Sequence, residues 1–191
     1  MMRWLIATVS ILATISAVTT RCCADSPKAV DERLVVIKTL ESLGTFLKRD
    51  KDGRVTFAGI HNPKFGDAHM AGLAKLRRIR TLYLTYRVIG GGEASVTDAG
   101  LKQLRRLPHL RLLVLNSRVT DAGVAHLRKC TGLRHLSVWC PHVTDRAIVH
   151  LKKMTHLRYL DLAFTKITRD GEQELRRALP NCVIKRSSVN K

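Results

Sequence analysis

Two short phrases recur in step along this chain, and together they leave few folds open. Val-Thr-Asp stands at Val96, Val119 and Val143 and returns as Ile-Thr-Arg-Asp at Ile167, with gaps of 23, 24 and 24 residues. A second phrase is apolar at its first, fourth and sixth positions and begins at Ile79, Leu110, Leu133 and Leu157. Two phrases locked in phase at a period in the low twenties describe one structural unit used several times. Each unit then rests on its neighbours.

The unit can be read from its spacings. The last two apolar residues of the second phrase are two apart, so both lie on one face of a short strand. Val124, Leu127 and Cys130 fall three apart, which is one stripe of a helix. Thr120 or Asp121 can accept from the helix's first free amides, so the helix is expected to begin there. Strand, turn, helix and turn follow in each unit. A single unit cannot enclose its apolar stripe, but stacked units can. The expectation is a parallel inner sheet backed by outer helices.

The rest of the chain divides around this array. Residues 1–24 place Arg3 before an apolar run from Trp4 to Val18, with Cys22, Cys23 and Ala24 at a cleavage site. They read as a signal peptide with Asp25 as the mature start. An uncleaved anchor is the alternative, although the run is short for a spanning helix. Cleavage would leave no stable membrane insertion and a secreted or periplasmic protein. Residues 25–53 are read as a capping helix and turn, the helix covering 29–48 through Val30, Leu34, Ile37, Leu40 and Leu47. Asp50, Asp52 and Gly53 faintly suggest a calcium loop, but no glutamate closes it. Residues 54–184 form the repeat array, opening on a worn unit in which Val55 and Phe57 stand for the strand. An insertion at 88–95 carries Gly90, Gly91 and Gly92 without a following Lys-Ser or Lys-Thr, so it reads as a surface excursion and a minor binding candidate. Residues 185–191 are a basic, frayed tail.

The Val-Thr-Asp-Ala-Gly phrase, the following Cys130 and the closing Leu-Pro-Asn-Cys-Val-Ile at 179–184 resemble the cysteine-containing, ribonuclease-inhibitor-like leucine-rich repeats. A leader, a capping helix and a few such repeats are similar to secreted repeat proteins of planctomycete-type bacteria. The resemblance implies an α/β fold: a short right-handed leucine-rich-repeat solenoid with a parallel inner sheet, outer helices and an N-terminal capping helix. It implies an extracytoplasmic binding module and is silent on the ligand.

Functional candidates follow from the phrase. Residues flanking the buried strand positions point away from the core. Tyr83, Val114, Asn116, His135, Trp139, Tyr159 and Asp161 are therefore the candidate partner-binding set, with Tyr83, Trp139 and Tyr159 as aromatic contacts for a protein or peptide. Arg80, Arg111, Arg134 and Arg158 fill one slot in four consecutive units and form a candidate anion-binding ladder. The net charge of +19 favours anionic partners, so an acidic polysaccharide or nucleic acid is the alternative ligand. Basic pairs such as Arg105-Arg106 and Arg128-Lys129 near helix ends complement helix dipoles. His126 and His150 share a slot, but no third metal ligand is evident. His135, Ser137 and Asp161 bring hydrolase residue types together without a sheltered pocket, so no catalytic residue is assigned. The cysteines show no disulfide or zinc spacing. No cofactor, metal or small-molecule substrate is expected.

Overall fold

A computed structural model describes residues 27–85 and 96–186, with side chains from residue 32. Residues 1–24, read above as a signal peptide, the insertion at 88–95 and the last five residues lie outside the described residues.

The chain opens on helix α1 (Pro27–Ser42) and strand β1 (Phe46–Arg49), then runs through β2 (Val55–Ile60), α2 (Asp67–Leu73), β3 (Thr81–Thr85), α3 (Asp98–Leu101), β4 (Leu112–Asn116), α4 (Asp121–Leu127), β5 (His135–Val138), α5 (Ile148–Leu151), β6 (Tyr159–Asp161), α6 (Arg169–Ala178) and β7 (Val183–Lys185). The seven strands form one sheet in sequence order. β1 pairs antiparallel with β2, and every later pair is parallel. Leu82, Leu113, Leu136, Leu160 and Ile184 are partners on successive strands. All five are buried, as are the helix-stripe residues Met70, Leu101, Val124 and Leu151. Full burial of each such side chain stabilises by about 1.5–3 kcal/mol. This is a leucine-rich-repeat-like α/β fold in which each strand and helix is closed by the next.

The recurring Val-Thr-Asp phrase is explained by a relay between units. Asp98 does not cap its own helix. Its carboxylate accepts from the backbone amide and hydroxyl of Thr120, at 2.9 and 2.6 Å. Asp67 does the same for Thr97, Asp121 for Thr144 and Asp145 for Thr168. Each threonine hydroxyl then accepts from an amide in the first turn of its own helix. The cap expected at Thr120 or Asp121 therefore belongs to the threonine, while the aspartate looks forward to the next unit. The glycine of the phrase makes room for this: a Cβ at Gly123 would collide with the Asp98 carboxylate. Where Ala147 takes that slot, the first turn tightens to a 3-10 turn, Asp145–Ala147.

The ends differ from the repeats and from the sequence expectation. The helix expected over 29–48 stops at Ser42, because Gly44 turns the chain at φ 67°. The next residues form β1, which covers the edge of β2. Asp50 holds the hairpin by accepting from the amides of Asp52 and Arg54. Phe57 does not take a buried strand slot: Ala58 and Ile60 do, paired with Leu82 and Leu84. The relay begins with Gly66 in the threonine slot, where His69 Nδ1 accepts from the Gly66 amide instead. It stops at Arg169, which stands in the aspartate slot. At that end Glu172 accepts from Arg176 and Arg186, so part of the basic tail is tied to α6. Burial raises the Glu172 carboxyl pKa, but hydrogen bonds and charge from Arg176 and Arg186 outweigh it and leave it below the usual range. Among the described residues, no helix is long and apolar enough to cross a membrane.

Candidate functional site

The outward side chains of the sheet form rows across the strands. One row runs Phe57, Thr81, Leu112, His135, Tyr159 and Val183; the next runs Gly59, Tyr83, Val114, Ser137, Asp161 and Lys185. The predicted residues thus share a face, but they do not form one patch. Tyr83 and Tyr159 stand three strands apart, about 14 Å laterally.

Tyr83 belongs to a cluster the sequence reading did not find. Its ring lies 5.4 Å from Phe57, which lies 5.8 Å from Phe46. The Lys48 ammonium sits 5.6 Å from the centroids of both phenylalanines, within cation–π range. Phe46 is 56% exposed. At the other end Tyr159 is tilted against His135 at 6.2 Å, with the Lys185 ammonium 5.8 Å from its ring. Between them Val114 has the outward parity expected but is only 6% exposed, so it offers little surface. Asn116 is half-buried. Trp139 is half-buried, as Tyr83 and Tyr159 are, and its indole nitrogen is buried without a hydrogen-bond partner among the described residues.

Asp161 accepts from the Ala163 amide at 2.9 Å and thereby shapes the turn after β6. His135, Ser137 and Asp161 share the face, yet among the described residues no hydrogen bond joins them. Phe164 follows that turn, 58% exposed and at φ 59°. A bulky residue in the left-handed region costs on the order of 1 kcal/mol, and such positions gather at binding sites. Cys140 fills the same slot one unit earlier and is buried, so nothing in the sequence marked Phe164.

The four arginines of the ladder stack through their backbones. The amides of Arg111, Arg134 and Arg158 each donate to the carbonyl of the arginine one unit earlier, at 2.8 Å. Among the described residues none of the four guanidinium groups makes an ion pair. Arg134 instead donates to the carbonyls of Thr131 and Leu133. Beside it, burial and the Arg134 charge lower the His156 pKa, against a backbone hydrogen bond at Cys130 that raises it.

The described cysteines are free thiols. Burial pushes Cys130 up to about 11 and raises Cys140 and Cys182, so each serves as a small apolar group. His126 and His150 occupy the same slot of α4 and α5. Among the described residues no group of three or more potential metal ligands occurs.

The chain is similar in structure to internalin C2 of Listeria monocytogenes. The TM-score is 0.49 at 24% identity, covering 69% of this chain. The chain spans about half of that protein, 54% of its length. No family model and no curated protein matches the sequence.

Proposed function

We propose that this chain is a non-catalytic, extracytoplasmic scaffold that holds a protein or peptide against the outward face of its sheet. The observation that carries the reading is the Phe46–Phe57–Tyr83 cluster under Lys48, open to solvent at one end of that face. Tyr159 under Lys185 offers a second contact at the other end. Rigid aromatics with a cationic rim are what protein partners bury. Extracytoplasmic residence rests on reading residues 1–24 as a leader. We take the coil to be right-handed, as strand–helix–strand connections between parallel strands nearly always are. Cys130, buried in the slot of Leu107 and Met154, supports the cysteine-containing repeat type.

The test uses random peptides displayed on phage and selected on the folded protein. Peptides enriched on the wild type are measured against Phe57→Ser/Tyr83→Ser/Tyr159→Ser, with thermal unfolding confirming that the variant folds. The reading expects at least a tenfold loss of affinity, about 1.4 kcal/mol. Unchanged affinity, or no enrichment at all, would reject the sheet face as the docking surface.

A further inference from the structure

We propose a second binding surface: the edge where the strands begin takes a linear acidic polysaccharide. Because the repeat strands are parallel, every passage from helix to strand crosses that one edge. Each passage carries cations. The arginine ladder lies on it, with Arg80, Arg111 and Arg158 exposed and Arg134 half-buried, and the exposed Arg106, Lys129 and Lys153 form a second column at the helix ends. Ladder positions are roughly 4.8 Å apart, the strand spacing.

The fold does not require this density of charge. A helix end presents about half an elementary charge, and α3 and α5 are single turns of four residues. Neighbouring guanidinium groups at the strand spacing repel by about 0.9 kcal/mol in water before salt screening. Few carboxylates offset this on the edge: Glu32 pairs with Lys75 and Glu174 with Lys152. The opposite edge is different. Its cations, including Arg118 and Lys166, are interspersed with Asp98, Asp121 and Asp145. At the α1 end the basic edge opens into a cleft of about 550 Å³ that Arg77 and Arg106 help to line.

The composition of the edge narrows the choice of polymer. The passages 75–80, 105–111, 128–134 and 152–158 contain no Phe, Tyr or Trp. Single-stranded nucleic acid needs aromatic platforms for its bases. A peptide needs an apolar anchor site. A hydrophilic chain with regularly spaced carboxylates or sulfates needs neither and gains from each cation it meets. Its release by salt would be steep, because each neutralised anion frees counterions.

The experiment compares two charge-matched variants of the folded protein on an immobilised sulfated polysaccharide. Arg111→Ser/Lys129→Ser/Arg158→Ser alters the basic edge, and Arg118→Ser/Arg146→Ser/Lys166→Ser alters the opposite edge. The first is expected to lose at least tenfold in affinity and to flatten the salt dependence, while the second stays within about threefold. The sheet-face variant Phe57→Ser/Tyr83→Ser/Tyr159→Ser is expected to bind as the wild type does, which separates this surface from the one proposed above. Equal losses in the two charge variants would reduce the effect to bulk charge and overturn the proposal. Tighter binding to oligothymidylate or polyglutamate than to the polysaccharide would overturn it as well.

Discussion

The two edges of the coil each carry a column of charge through four consecutive units, and they use it in opposite ways. Where the strands end, Asp67, Asp98, Asp121 and Asp145 each reach one unit forward to a threonine amide and hydroxyl. Where the strands begin, Arg80, Arg111, Arg134 and Arg158 stand in an equally regular column without a described carboxylate. A column of charge in a repeat protein is structural when the partner of each charge lies in the next unit. It is left for a ligand when the partner is missing.

The contrast is broken most forcefully at the aspartate edge. Gly123→Ala places a methyl group against the Asp98 carboxylate and Val119. The expected cost is about 2–3 kcal/mol, the upper range for overpacking, which lowers Tm by about 4–12 °C at this chain length. Ala147→Gly is expected to change Tm far less, since the 3-10 turn already accommodates the methyl. Similar Tm values for wild type and Gly123→Ala would mean that the relay tolerates displacement.

Next in size is a pH effect on the arginine edge. The folded-state pKa of His156 is depressed, so its stabilising contribution is present above the unfolded histidine pKa of about 6.5. It is lost as pH falls from there through the lower folded value. Thermal unfolding followed from pH 7.5 to 5 should show a fall that His156→Gln reduces. A variant with the same pH slope as the wild type would remove His156 from the account.

The smallest effect sharpens the contrast. Arg111→Ser relieves repulsion and breaks no described ion pair, so stability should stay within about 0.5 kcal/mol, with any gain appearing at low salt. A loss above 1 kcal/mol in chemical denaturation would show that the ladder is structural after all.

These differences set how much could be read from the chain. The strand phrase is apolar at fixed steps, so the alignment of Leu113, Leu136 and Leu160 was legible from periodicity alone. The role of the aspartates was not. An aspartate at a helix start looks like a cap for that helix, and only the stacking shows that its partner is a threonine over twenty residues later. Phe57 was misread because Val55-x-Phe57 copies the spacing of the last two strand positions. Setting Val55 at the first position puts Ala58 and Ile60 inside and Phe57 outside, which exposes the aromatic cluster with Tyr83. Phe46 lay beyond reach because the helix expected over 29–48 runs past Gly44, where the chain turns out of it.

The most direct test of the relay is a double-mutant cycle in unfolding free energy between Asp121→Ala and Thr144→Val, residues in successive units joined at 2.7 Å. A coupling of about 1–2 kcal/mol is expected for a hydrogen bond to a charged group. Effects that add to within about 0.3 kcal/mol would show that the contact between repeats contributes nothing, and the distinction between the two edges would fall with it.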